Sequence, residues 1–393
     1  MDKIKLLFFS GIIISIIIRS FFILNGSRVA DIHALQEMGE VTLHNLNPYV
    51  VLPYNSYPPL AIYIEEITIK LQDFTQIPFY ILIKVWSNLA DLVICLLVYL
   101  FLIKAGTKKL HAVIWSLVFF LNPVSIIISA AHGQIDSIPT LLVILSAFFL
   151  MFKKKLTYTL LSGLLFGLAV SIKLNPLILL PFFLIYIIKK SRFINSLLFG
   201  LMAILPLIIL ILPFASGNYF YVFNRLANYT GSNDFGIPAL IKGQYYIETG
   251  QTNYILEKSL INKSKYFFLV CWLILIFFFR NSEKLIKGCS ITYLLFITFY
   301  FGISAQYLSW ILPFAVLLKD KWVIAFSLTG IFSLLGFYMF INPKMIISGF
   351  ENIPPNQGQF ILMYMWSNLI FWIIGLGWLV KLSLGSIKKE HHL

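Results

Sequence analysis

Asp31 stands in a polar stretch, residues 25–78, that is flanked on both sides by strongly apolar sequence. A carboxylate just outside a membrane helix can take the proton from a hydroxyl as a general base, a role that accelerates such steps by about 10²- to 10⁴-fold. The same residue ahead of a loop helix can equally serve as an N-cap, worth about 1 kcal/mol to that helix. Further along, Lys84, Ser87, Asn88 and Asp91 recur at i, i+3, i+4 and i+7 and form a polar stripe on one helix face. Ionisable groups at membrane depth face a bundle interior or a cavity and mark function, with interhelical packing bonds as the alternative. His132, Gln134 and Asp136 cluster at the outer end of a third span. Two possible ligands without a third make a weak metal site, and hydrogen bonds to a polar substrate suit the set better. Lys173, just before Asn175-Pro176, and Arg225, in a long loop, are cations on the face that otherwise has few. For Lys173 the plain alternative is snorkelling to the headgroups; for Arg225 it is a solvated loop. Tyr307 and Trp310 read either as substrate contacts or as part of an interfacial aromatic belt.

The elements that must hold these residues follow from composition. Of the 393 residues, 59% are apolar and 12% charged, with mean hydropathy +0.87, against about 25% charge in soluble domains. The chain is expected to be an all-α polytopic membrane protein. A spanning helix needs roughly 20 mostly apolar residues, fewer inside a bundle. Twelve stretches fit: 4–24, 79–103, 111–131, 139–152, 158–174, 175–188, 193–213, 266–280, 288–304, 306–318, 322–342 and 361–380. The first is too long for a signal-peptide core, and Arg28 stands where a cleavage site wants a small residue, so it is expected to be retained. Basic residues then test the parity, because they collect in cytoplasmic loops. The segments 2–5, 104–109, 153–155, 189–192, 280–287, 319–321 and 381–390 hold 19 of the 30 Lys and Arg, against four acidic residues, Asp2, Glu283, Asp320 and Glu390. The net charge of +14 is thus a topology signal that requires no nucleic-acid partner. Both termini are expected in the cytoplasm, with the long loops 25–78, 214–265 and 343–360 outside. Cys95, Cys271 and Cys289 are scattered and suggest neither disulfide nor thiolate metal site. In the first outer loop Leu60, Ile64, Ile67 and Leu71 repeat at helical spacing with Glu65, Glu66 and Lys70 opposite, which predicts a helix lying in the interface plane. A second short helix is expected to start at Asp31 with Ile32 and Leu35 turned to the membrane. Asn-Pro pairs at 47, 122, 175 and 342 read as helix breaks.

Several of these residues, in this order, resemble the GT-C glycosyltransferases. They are Asp31 with His33, Leu35 and Gln36; Asn47-Pro48-Tyr49; Tyr57-Pro58-Pro59-Leu60; Lys84 and Asp91; Asn122-Pro123; His132-Gly133-Gln134-Ile135-Asp136; and Gly167-Leu168-Ala169-Val170-Ser171-Ile172-Lys173 with Pro176 and Pro181. A weaker echo is Gln306-Tyr307-Leu308-Ser309-Trp310 with Pro313. Within that group the chain looks like the dolichyl-phosphate-sugar-dependent mannosyl- and glucosyltransferases and their bacterial relatives. It departs from them in keeping one Asp, with Glu37 and Glu40, where an acidic pair is usual, and in its later third. The resemblance implies a GT-C-type bundle of about twelve helices, with 1–213 as the N-terminal transmembrane module, 214–265 as a large outer loop and 266–393 as the C-terminal module. It implies a multi-pass enzyme of the bacterial inner membrane that moves a hexose from a polyprenyl-phosphate donor to a lipid-linked or glycan acceptor, inverting and without cofactor or metal. Asp31 would be the general base, Lys173 and Arg225 would hold the donor phosphate, and His132, Gln134, Asp136, Tyr57, Gln306 and Tyr307 would bind substrate. A transporter or flippase of lipid-linked sugars would also want intramembrane charges, but no inverted repeat is visible. A non-catalytic membrane subunit is a third reading, against which the retained Asp31 argues.

Overall fold

A computed structural model describes residues 3–26, 30–215, 219–229, 231–251, 254–280, 282, 284–341 and 357–387. Asp2, Arg28, Glu283, Lys388, Lys389, Glu390, the Asn342-Pro343 pair and most of the outer loop 343–360 lie outside the described residues. The chain is 83% helical, with no strand among those residues. It opens with α1 (Lys3–Asn25), α2 (Ala30–Leu43), α3 (Pro48–Val51), α4 (Pro59–Thr75) and α5 (Phe79–Lys104). Next come α6 (Lys109–Phe120), α7 (Pro123–Ile126), a π-helical turn over Ile127–His132, α8 (Ser137–Phe152) and α9 (Leu156–Ile172). A 3-10 turn at Asn175–Leu179 leads into α10 (Leu180–Lys190), α11 (Phe193–Ala215), α12 (Tyr219–Ala227), α13 (Ile237–Thr249) and α14 (Lys258–Phe279). The chain closes with α15 (Leu285–Phe299), α16 (Tyr307–Trp310), α17 (Leu312–Leu317), α18 (Trp322–Ile341) and α19 (Gln357–Ile387).

All twelve apolar stretches are helical, and their lengths divide them. Six helices, α1, α5, α11, α14, α18 and α19, are long and apolar enough to cross a membrane, and a seventh crossing is possible if α6 and the 123–132 segment, bent by 41°, count as one. Where hydropathy suggests twelve spans, the remaining five are short. Asn-Pro pairs set two of the breaks: Asn122 accepts from the Val124 N–H and starts a new helix with proline in the first turn, and Asn175-Pro176 opens the 3-10 turn before α10. Asn is a good cap and proline is favoured in the first turn, so the pair both ends one helix and begins another.

By contacts the chain divides into two units, one formed by residues 1–27, 98–132 and 230–393 and the other by 28–97 and 133–229. In the first unit α1 is tied to the α6–α7 break by Arg19, which is 2% exposed. Its guanidinium donates to the Phe120 carbonyl at 3.1 Å and to Ser125 Oγ at 2.9 Å, satisfying a carbonyl that the break leaves free. Asn122 also donates to Ser327 Oγ at 2.7 Å and so joins α18 to the same point.

The second unit carries most of the residues singled out in the sequence. Its α9 and α11 meet through Gly163 and Gly167, spaced as small-xxx-small. A Cβ on either would stand 2.7 Å from a carbonyl oxygen of α11, Phe199 or Met202, so only glycine permits this approach. α2 and α4 pack in the same way at Gly39, where a Cβ would lie 2.8 Å from the Glu65 carbonyl carbon. Two orientation expectations are corrected here. Ile32 and Leu35 are each 1% exposed and point into the unit, not to the membrane. On α4 the enclosed face is Ala61, Ile62, Glu65, Thr68 and Ile69, while Ile67 is 51% exposed. Large aliphatic residues thus stand on both faces, Ile67 outward and Ile62 and Ile69 inward, and the Glu66–Lys70 pair, at 2.6 Å, lies on the outside as the spacing suggests.

Candidate active site

The segment before α4 is built to present Tyr57. Asn47 caps α3 through the Tyr49 N–H at 3.0 Å and donates to the Phe214 carbonyl at 2.7 Å. Tyr49, fully buried, packs edge-on to Phe214 and donates its hydroxyl to the Tyr57 carbonyl at 2.7 Å. The Tyr57 N–H donates to Asn55 Oδ1 at 3.0 Å. Both backbone groups of Tyr57 are therefore held by side chains, and Pro58-Pro59 fixes the chain direction into α4.

Around that tyrosine the charged residues gather. Lys173 follows the last turn of α9, and its Nζ sits 2.5 Å from Asp136 Oδ2, with side-chain exposures of 12% and 0%. The same ammonium lies 5.5 Å from the centre of the Tyr57 ring, within cation–π range. Burial raises the Tyr57 hydroxyl well above its ordinary range, and Asp31, Tyr229, Asp136 and Glu65 add to the rise, so three carboxyls act on one hydroxyl. Burial also raises the Tyr49 hydroxyl, with Glu65 adding.

Asp31 lies in the first turn of α2, and its Oδ2 accepts from Gln134 Nε2, a partner 103 residues away. Gln134 is itself anchored, since Ser87 donates to its carbonyl at 2.6 Å. The turn that allows this is Gly133 at φ +85°, where a Cβ would stand 3.0 Å from both Ile32 Cδ1 and Lys84 Cγ. The polar stripe on α5 is accordingly turned inward: Lys84 and Ser87 are fully buried and Asp91 is 2% exposed. Lys84 Nζ has no hydrogen-bond partner among the described residues and lies 5.8 Å from the Tyr80 ring centre. Arg225, on α12, donates through Nη1 to the Pro53 carbonyl, so its charge meets a carbonyl rather than a carboxylate.

The remaining candidates belong to the other unit. His132 is 7% exposed and its Nδ1 pairs with the Tyr338 hydroxyl at 2.5 Å. Although one glycine separates it from Gln134, the two residues fall in different packing units. Gln306 and Tyr307 are each 5% exposed, and the Tyr307 ring packs on Trp310 with centres 4.1 Å apart. These aromatics sit inside their unit and do not form an exposed belt. Among the described residues no group of three or more His, Cys, Asp and Glu is arranged to hold a metal.

Glu65 is the residue that the sequence pattern placed wrongly. Its carboxyl is fully buried, neither oxygen has a hydrogen-bond partner among the described residues, and burial raises it well above the usual carboxylate range. The available signal was the run Ala61, Ile62, Thr68 and Ile69, smaller or β-branched residues sharing its face at helical spacing.

One unit thus holds a partly exposed aspartate, a buried ion pair and a tyrosine between them, on short helices beside long apolar ones. The model of glycosyltransferase family 87 matches residues 57–298. No curated protein matches the chain. That family match takes in well over half of the sequence and includes Tyr57, Gln134, Asp136, Lys173 and Arg225, and by it the protein belongs to glycosyltransferase family 87, a GT-C-like family of membrane glycosyltransferases.

Proposed function

We propose that the protein moves a hexose, mannose or glucose, from a polyprenyl phosphate to a hydroxyl of a lipid-linked or glycan acceptor at the outer face of a bacterial inner membrane. The observation that carries this reading is the convergence of Asp31 and the Asp136–Lys173 pair on Tyr57. A sugar hydroxyl is a poor nucleophile at neutral pH and needs a base. Asp31, oriented by Gln134, takes the proton as the acceptor oxygen bonds to the anomeric carbon. The bond from that carbon to the phosphate oxygen breaks, its electron pair leaves with the lipid phosphate, and the anomeric configuration inverts.

Two cations are available for the departing phosphate. Arg225 offers a guanidinium with no carboxylate against it among the described residues, suited to bidentate phosphate contact. Lys173 is shared with Asp136, so it supplies a polarised ammonium rather than a free charge. Cations of this kind can stabilise the developing charge as a divalent ion does elsewhere, and the donor site is accordingly proposed to work without metal. Gln134, Asp136 and Tyr57 are proposed to hydrogen-bond sugar, supported by their grouping with Asp31 and Lys173; His132, Gln306 and Tyr307 are proposed as substrate contacts on the resemblance alone. The basic-loop pattern supports cytoplasmic termini and an outward-facing first loop.

Purified protein incubated with radiolabelled polyprenyl-phosphate mannose, polyprenyl-phosphate glucose and nucleotide sugars, together with a lipid extract of its own cells, tests the reading. Transfer from a polyprenyl-phosphate hexose that survives EDTA is expected. Transfer from nucleotide sugars only, or full loss with EDTA restored by Mg²⁺ or Mn²⁺, would overturn it.

A further inference from the structure

Buried polar atoms in folded proteins are nearly always hydrogen-bonded, and leaving one unpaired lowers stability. Glu65 departs from that rule at both carboxyl oxygens among the described residues, although its side chain is wholly enclosed. It cannot easily withdraw. The backbone contact at Gly39 fixes α4 against α2 at this residue, and a helix with a larger residue at 39 would be pushed off. Its helix face packs through Ile62, one turn away, with Tyr49, whose hydroxyl holds the Tyr57 carbonyl, and Glu65 adds to the rise of both tyrosine hydroxyls. Tyr57, by contrast, is only partly enclosed.

We propose that Glu65 is a further substrate-binding residue, taking a hydroxyl of the donor or acceptor sugar on the inner side of Tyr57. Enclosure without a hydrogen-bond partner disfavours its charged form and raises its acid group well above the usual carboxylate range. A neutral carboxyl both donates and accepts, which is the complement of an alcohol. This role deepens the proposed transfer reaction and rests on Asp31 and Tyr57 marking its site.

The test compares the full-length parent with Glu65→Leu and Glu65→Gln in lipid nanodiscs, using the polyprenyl-phosphate mannose or glucose that the parent turns over. Glu65→Leu should unfold at a higher temperature, because the unpaired carboxyl is gone, yet lose roughly 10²-fold in kcat/KM, as expected when a hydroxyl partner is removed. Glu65→Gln keeps a donor and an acceptor and should retain at least about ten times more kcat/KM than Glu65→Leu. The loss should fall on the KM of one substrate, donor or acceptor, which identifies the source of the hydroxyl. A deoxy analogue of that sugar should lose the same factor with the parent and none further with Glu65→Leu. Glu65→Leu transferring at the parent rate, or losing activity and thermal stability together, would overturn the inference, as would Glu65→Gln being as poor as Glu65→Leu. Asp31→Asn in the same assay keeps the two ideas apart. If that variant loses turnover while Glu65→Leu does not, only the Glu65 role fails; if Asp31→Asn is fully active, the transfer site itself is misplaced and the Glu65 role fails with it.

Discussion

Lys173→Ala removes one half of a pair whose two members are unequally enclosed. Nζ and Oδ2 are 2.5 Å apart, but the lysine side chain keeps 12% exposure while the aspartate has 0%. Deleting one partner of a buried pair costs roughly 3–5 kcal/mol, because the other is left as an uncompensated charge. Lys173→Ala takes the ammonium away from a fully enclosed carboxylate and should cost up to about that much. Asp136→Ala strands an ammonium that can extend toward solvent and retains the Tyr57 ring 5.5 Å away, a contact worth about 0.5–1 kcal/mol or more. It should therefore cost at least about 1 kcal/mol less. Lys173→Met with Asp136→Leu replaces both charges by apolar groups and should recover most of the loss, giving a coupling energy of roughly 2 kcal/mol or more in a double-mutant cycle. The free cysteines provide the assay, since Cys95 and Cys289 are buried and Cys271 is only partly covered. A thiol-reactive fluorophore in a fixed detergent then reports unfolding as the two buried thiols become accessible. Unfolding of Lys173→Ala at the parent temperature, or the reverse order of the two single variants, would refute the burial asymmetry on which the estimate rests.

The same cluster makes stability depend on pH. Because burial raises the Glu65 carboxyl above its unfolded value near 4.5, the folded state binds more protons above that pH and stability falls as pH rises. The extra stability of Glu65→Gln should therefore appear at neutral pH and vanish below about pH 4.5, as read by unfolding at several pH values; a gain independent of pH would contradict the raised acid. Gly167→Leu should abolish folded protein, since its Cβ alone would stand 2.7 Å from the Met202 carbonyl oxygen, and a well-folded variant on size exclusion would refute the tight α9–α11 contact. For topology, a cysteine introduced as Lys154→Cys should resist an impermeant maleimide in intact cells, whereas labelling there would reverse the proposed sidedness.

Much of the architecture is legible because helices in lipid must satisfy their own backbone, so every apolar stretch became a helix. Their lengths were less legible, since they depend on where Asn-Pro pairs and the π-turn at Ile127–His132 break the chain. Asp31, Gln134, Asp136 and Lys173 stand out in the sequence as polar residues at the ends of apolar runs. Their pairings do not: Gln134 reaches Asp31 across 103 residues and Lys173 reaches Asp136 across 37. Local pattern also separates poorly what a turn divides, so His132 looks like a neighbour of Gln134 yet bonds Tyr338. Glu65 was hidden for a different reason. Both faces of α4 carry large aliphatic residues, Ile67 outward and Ile62 and Ile69 inward, so the apolar pattern alone does not show which face encloses Glu65.

Asp31→Asn tests the central claim most directly. Asparagine has the same shape and caps or opens a helix about as well, and its Oδ1 can still accept from Gln134 Nε2. It cannot take up the acceptor's proton. Protein yield, unfolding temperature and donor affinity should remain at parent values while turnover falls by about 10²-fold or more, corresponding to roughly 2.7 kcal/mol or more of lost transition-state stabilisation. A stable Asp31→Asn protein that transfers sugar at close to the parent rate would show that Asp31 merely opens α2, and would remove the base from the proposed reaction.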